Sequence, residues 1–396
     1  MRFDTNIRAL ILGLFGLTTA LIAGAQNDSS GTTERGGLQF DCPSINLSVL
    51  ESEVTSYLAA NGIDPPLYSV TTELQTGRLT YHIRREIEPV STLDLINAMG
   101  LDLRESHYLM PSPHRDDQDI LTVSAKEILL ALMHRARTNK FKGENCGWDA
   151  LRDEVEIRQS IVAWAELTNW AWPNGGSARW NTKYWHKGDL RDAKQLNVAM
   201  LDAFLRPKKY AIGCYTASKM VLVQAYIDYY TRIRPNAKKL NSFMTALWKD
   251  RDPLINIEPE RMWYMFEEGK DSAEMARVGK LVELTEGVSS DSFIPGDWVY
   301  FLNTDPATAQ KTGYEGSNSI YMGRGRFDDY YNDNNHFYTY KEKIQEVYQW
   351  RNHVFSRSRD TARIHPLSAA EISRLSVDPK EGGLLLEYRA TPILFH

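Results

Sequence analysis

Ile212–Asp228 reads IGCYTASKMVLVQAYID, and the architecture can be built outward from it. From Ala217 to Tyr229 the residues are apolar on almost every side, the mark of a helix enclosed by other elements. Pro207 and Gly213 punctuate the approach, so Cys214 falls in the first turn. A thiol there meets backbone N–H groups that the helix itself cannot satisfy, and the positive end of the helix dipole. Both lower its pKa and favour the nucleophilic thiolate. One cysteine is weak evidence taken alone, because most cysteines outside disulfides are small buried hydrophobes. Thiol catalysis also needs a general base within hydrogen-bond reach, usually a histidine.

The segment that can supply the base lies downstream. Pro295-Gly296-Asp297 is a turn, followed by a strand over Trp298–Leu302. After a loop with Asn303, Asp305 and Pro306, the run Tyr314–Gly323 (GYEGSNSIYMG from Gly313) reads as a second strand ending in glycine. A polar run over Phe327–Asn335 leads to His336-Phe337-Tyr338-Thr339-Tyr340, which alternates as a third strand. His336 starts that strand, beside loop residues rather than in a core. A cysteine-bearing helix packed on antiparallel strands that carry histidine is the papain-like arrangement, so the expected fold class is α+β.

These stretches, IGCYTASKMVLVQAYID and IPGDWVYFLN…GYEGSNSIYMG…HFYTYKEKIQEV, resemble the spore-coat protein-glutamine γ-glutamyltransferases of spore-forming bacteria, members of the NlpC/P60 papain-like superfamily. Ile157–Glu166 (IRQSIVAWAE) and Asn181-Thr182-Lys183-Tyr184-Trp185 are similar to the family's preceding helix and its N-T-x-Y-W motif. The likeness covers roughly residues 150–350. It implies Cys214 as nucleophile and, across a short insertion, His336 as the histidine. The glutamate of the family's G-E-N strand falls on Ser317, and a second glutamate, directly before the cysteine, falls on Gly213. Glu315 lies two residues before Ser317 and so shares its strand face; it is the candidate replacement carboxylate. The implied reaction is acyl transfer from a protein glutamine to a lysine or other amine, or to water, with neither metal nor organic cofactor. A peptidoglycan-cleaving NlpC/P60-type peptidase is the second enzyme reading, although Gly213 and Tyr215-Thr216 replace the usual Asp-Cys-Ser-Gly neighbourhood. A degenerate binding protein of the same fold is the third, kept open by Ser317 and Gly213.

The N-terminus reads as an address. Arg2 and Arg8 precede the apolar stretch Ala9–Gly24, and Ala23-Gly24-Ala25 supplies small residues for cleavage. Residues 1–25 are therefore expected to be a signal peptide and 26–37 a flexible spacer. The mature chain is then secreted or periplasmic, without stable membrane insertion. In an oxidising compartment two of the three cysteines pair. We expect Cys42–Cys146, with Cys214 as the reactive thiol; three reduced, buried thiols are the alternative. Asn46 caps a helix with Leu47, Leu50, Val54 and Leu58 on one face, and Leu67–Leu74 with Leu79–Ile83 form a hairpin. Ser124 and Glu127 read as a capping box for a helix to about Arg137. The polar stretch 138–147 reads as a boundary. The expected division is thus a mostly helical accessory region over 38–148 and a catalytic domain over 149–396.

Composition excludes other classes. At 396 residues, 42% hydrophobic and 24% charged, the chain is an ordinary globular protein rather than a disordered or collagen-like one. A formal charge of −5 argues against nucleic acid as a partner, since phosphate binding needs a basic footprint. Five of the ten tryptophans fall between 164 and 185. They read either as core and helix-packing aromatics or as the wall of a cleft. Asp328, Asp329 and Asp333 in FDDYYNDNN lack EF-hand spacing and read as a solvated acidic loop.

Overall fold

The computed structural model describes residues 36–87, 91–101, 103, 105–110, 118–173, 178–249, 282–305, 316–332, 337–349, 365–377 and 379–392. The first part of the chain runs β1 (Gly37–Asp41), α1 (Leu47–Ala60), β2 (Tyr68–Glu73), β3 (Arg78–Ile83), α2 (Thr92–Met99), β4 (Ser106–Met110), β5 (Gln118–Thr122), α3 (Ala125–Met133) and β6 (Thr138–Lys142). The side chain of Asn46 accepts from the N–H groups of Ser48 and Val49, and Leu47, Leu50, Val54 and Leu58 are buried, so α1 forms as its pattern requires. β2 and β3 pair as the expected antiparallel hairpin.

This part is not mostly helical. It is mixed, with a four-stranded sheet ordered β2-β3-β1-β6 and a separate β4–β5 hairpin. The stretch expected as a polar boundary is β6, whose Asn139 and Phe141 turn inward while Thr138, Lys140 and Lys142 face out. Lysines on an edge strand disguise it as a linker. Its partner, β1, lies about a hundred residues earlier and pairs in parallel, Asp41 opposite Lys142. That pairing sets the chain just beyond both strands side by side, and Cys42 and Cys146 are joined there with Cα atoms 5.7 Å apart. The expected disulfide is present.

The chain continues through α4 (Trp148–Glu166), β7 (Trp185–His186), β8 (Asp189–Leu190), α5 (Leu196–Leu205), α6 (Cys214–Asp228), α7 (Ala237–Lys249), β9 (Val282–Glu286), β10 (Trp298–Asn303), β11 (Gly316–Gly323), β12 (Arg326–Asp328), β13 (Phe337–Thr339), α8 (Tyr340–Gln349), α9 (Ala369–Leu375) and β14 (Leu385–Pro392). Five antiparallel pairings give a six-stranded sheet ordered β13-β12-β11-β10-β14-β9. Every residue of α6 from Thr216 to Asp228 is buried, the polar Ser218, Lys219, Gln224 and Asp228 included. It packs between α4 and β11. α4 stops at Glu166, and beyond it Trp170 and Ala171 make isolated bridges to Tyr331 and Ala211.

One apolar core runs from Leu38 to Ala390 and takes side chains from both parts of the chain. A buried charge cluster crosses the same junction. Asp297 receives Arg137 at 2.7 Å and Arg158 at 2.9 Å, and Arg158 also donates to Glu154 at 2.9 Å. Burial drives the Asp297 carboxyl upward, yet Arg137, Arg158, Arg389 and the Ile294 N–H together hold it below its ordinary value. Burial also pushes the Arg137 guanidinium down to about 10, against the pull of Asp297. Gly296, at φ +86°, lets the turn pass over Arg158, whose Cα would lie 3.1 Å from an added Cβ. The turn therefore fixes where β10 begins, at Trp298.

Candidate active site

Three segments hold Cys214 in place. Ala171 and Arg179 flank Tyr210–Ile212: the Arg179 N–H donates to Ala211 O at 2.8 Å, the Ala211 N–H returns to Arg179 O at 2.9 Å, and the Ile212 N–H reaches Ala171 O at 3.2 Å. Tyr210 is buried and donates to Asp202 at 2.8 Å, which also receives the side-chain amide of Asn181 at 2.7 Å. This is what the N-T-x-Y-W stretch does: it braces the extended approach to the helix. Gly213 is the N-cap, with no side chain to compete, and Cys214 is the first helical residue, half-buried.

The sulfur faces β11. The backbone N–H of Asn318 lies 3.4 Å from Cys214 Sγ, and its side-chain Nδ2 lies at 3.6 Å. The orientation of that amide follows from Trp298, whose indole can only donate and does so to Asn318 Oδ1 at 2.9 Å. The oxygen is thereby committed, and the NH2 group turns to the sulfur. N–H donors on a sulfur favour its charged form over the thiol. Close strand approach is needed here: a Cβ on Gly316 would lie 2.3 Å from the carbonyl oxygen of Phe301 on β10.

A small, shallow cleft opens beside the thiol. Ser317 and Asn318 line it from β11, Trp172 from the bridge segment, and Asp329, Tyr330 and Tyr331 from the turn after β12. Lys343 and Glu346 of α8 complete the lining. Ser218 donates to the carbonyl of Cys214 at 3.0 Å, so in the 2.6 Å contact with Tyr330 the phenol is the donor. Burial first, and then the charge of Asp328, raises that phenol far above its usual range, so it stays neutral. Tyr330 sits at φ +64°, a left-handed conformation that costs a bulky residue on the order of 1–3 kcal/mol. Asp328 holds it there by accepting the Tyr330 N–H at 3.1 Å.

Lys343 and Glu346 form a buried ion pair at 3.3 Å. Tyr338 donates to the other oxygen of Glu346 at 3.1 Å, and the ammonium of Lys343 lies 4.5 Å from the Tyr338 ring centre. Both carboxylate oxygens are thus engaged, which suits holding a charge or orienting a neighbour.

Of the sequence candidates, Cys214 lies at this cleft. His336 and Glu315 fall outside the described residues, next to the first residues of β13 and β11, Phe337 and Gly316. Ser317, where the family glutamate falls, lines the cleft. Sequence reasoning missed Asn318, Asp329, Lys343 and Glu346. Only Asn318 carried a signal, as the third residue of the G-S-N stretch. Asp328 and Asp329 are buried, at 0% and 2% exposure, which corrects their reading as a solvated loop; Asp333 lies outside the described residues. Of the five clustered tryptophans, Trp164, Trp170, Trp180 and Trp185 are core, and Trp172 is cleft wall. No group of three or more candidate metal ligands occurs among the described residues.

Among solved structures the chain is similar to a transglutaminase from Geobacillus stearothermophilus (without C-terminal extension), at 18% identity over 63% of this chain and 94% of that one, with a TM-score of 0.36. No curated protein matches. The sequence profile described as protein-glutamine gamma-glutamyltransferase matches residues 111–374, a span that extends beyond the 150–350 resemblance at both ends and takes in α3, α4, α6 and the strands around the cleft. On that match, the chain belongs to the protein-glutamine gamma-glutamyltransferase family and is an acyltransferase.

Proposed function

We propose that the chain is an exported transglutaminase of papain-like, NlpC/P60 type, nearest in kind to the spore-coat enzymes, with Cys214 as nucleophile. The observation that carries this is the sulfur at the first position of a buried helix, facing two N–H donors of Asn318 across the cleft. The thiolate attacks the side-chain amide carbon of a protein glutamine. His336, as imidazolium, gives its proton to the departing nitrogen, ammonia leaves, and a thioester remains. A lysine ε-amine then attacks the thioester carbonyl and passes a proton to His336, and the thiolate is released as the isopeptide forms. Water in place of the amine gives deamidation. Backbone N–H groups at the start of α6 would hold the oxyanion, an interaction worth about 3–4 kcal/mol where one such donor is removed.

Two carboxylates are candidates to orient the histidine, and a bare Cys–His dyad is the alternative. Glu315 is the expectation from strand register, and Glu346 is supported by its place on the cleft and its two fixed oxygens. Export is supported by the charged, apolar start of the sequence and the Cys42–Cys146 disulfide. No helix among the described residues is long and apolar enough to cross a membrane. Residues 38–148 are proposed as an accessory region, supporting the site through Arg137 and Asp297.

The test is the intermediate itself. With a glutamine peptide and no amine, the intact mass of the chain should rise by the peptide less ammonia, and hydroxylamine should reverse it. An unchanged mass alongside peptide deamidation at the wild-type rate would refute covalent catalysis.

A further inference from the structure

Residues 179–209 carry eight lysines and arginines against three aspartates, net +5, within a chain of formal charge −5. One of the three, Asp202, is buried beneath Asn181 and Tyr210 and pairs with Arg206 at 3.5 Å. All eight cations are exposed. Two contacts and a buried layer bring six of them together. Arg179 donates to the carbonyl of Lys208 at 3.2 Å, which places it beside Arg206 and Lys209. Arg191 donates to the carbonyl of Thr182 at 2.8 Å, next to Lys183. Beneath them the Trp180 ring meets Trp185 at 5.0 Å and Tyr210 at 6.1 Å, so residues 180–185 and 210 share an aromatic layer.

This surface lies within reach of the cleft. Lys209 is five residues from Cys214, and an extended chain covers at most about 18 Å in five residues. Arg179 is held close by its two backbone bonds to Ala211. The remainder of the chain is acidic and repels a negatively charged partner, whereas this face attracts one. Such asymmetry orients an encounter and sets which partners approach the thiol.

We infer that the basic face over residues 179–209 docks an acidic stretch of the protein that carries the reacting glutamine. The inference rests on the transfer reaction proposed above for its choice of occupant, and its test requires no turnover. Fluorescently labelled glutamine peptides flanked by Asp/Glu, by neutral residues or by Lys are titrated by anisotropy with the full chain carrying Cys214→Ala. The acidic peptide should bind about tenfold or more tighter than the neutral one at low salt. The difference should fade in about 0.5 M NaCl, where the Debye length falls to a few ångströms. Adding Lys208→Glu and Lys209→Glu should remove the preference. Equal affinities at low salt, or a preference that survives the double substitution, would overturn the inference. So would phosphatidylglycerol vesicles or a single-stranded oligonucleotide that binds this face and is not displaced by the acidic peptide. If the transfer chemistry fails instead, these affinities remain and the covalent intermediate does not form.

Discussion

Replacing Asp297 by asparagine keeps the shape of the turn and removes one buried negative charge. In the wild type that carboxylate faces Arg137 at 2.7 Å and Arg158 at 2.9 Å, with all three side chains at 5% exposure or less. Removing one member of a buried pair costs about 3–5 kcal/mol, because the partner charge stays desolvated. Arg158 keeps Glu154, so the loss should lie near the lower end, about 3 kcal/mol, in urea unfolding at pH 7. The pH dependence follows from the depressed carboxyl. A carboxylate held below its unfolded value, about 3.9, contributes stability that is present above that pH and lost as pH falls through the folded value. The gap between wild type and Asp297→Asn should therefore close as the buffer drops below about pH 4. Arg137→Met alone should also destabilise, and the double variant should cost less than the two singles together. A loss below about 1 kcal/mol, or strict additivity in the double variant, would refute the claim that this cluster joins the two parts of the chain.

Asn318→Asp should slow iodoacetamide alkylation of Cys214 about tenfold at pH 7 and move its pH profile upward, the direction for a like charge set beside a thiolate. An unmoved profile contradicts the role given to that amide. Glu346→Gln and Glu315→Gln separate the two carboxylate candidates: the one that orients His336 should lose about tenfold or more in turnover, with the other near wild type. Reducing the Cys42–Cys146 disulfide, whose partners are 104 residues apart, should lower stability by about 4–5 kcal/mol in the chain-entropy picture; denaturant unfolding of Cys42→Ala with Cys146→Ala measures it.

What was legible in the sequence was local. The cap at Asn46, the β2–β3 hairpin, the apolar run of α6 and the strands β10 and β11 each declare themselves within a dozen residues. The elements that escaped depend on distant partners. β6 is a strand only because β1 lies beside it in parallel, and β14 inserts between β10 and β9 from the far end of the chain. Glu127 reads as half of a capping box, yet it is buried and accepts the Arg324 N–H at 2.6 Å. Ser124 does cap α3, through the Lys126 N–H, and the helix ends at Met133 rather than near Arg137. At the cleft, Lys343 and Glu346 look like the wet face of an amphipathic helix. They are dry because Tyr338 covers one and binds the other. Charge alone in a sequence does not reveal that its solvent has been replaced.

Incorporation of fluorescent cadaverine into casein tests the central assignment most directly. Wild-type chain should label casein, and Cys214→Ala should leave it unlabelled at equal concentration, while retaining wild-type unfolding behaviour. Labelling by Cys214→Ala at the wild-type rate would contradict the account.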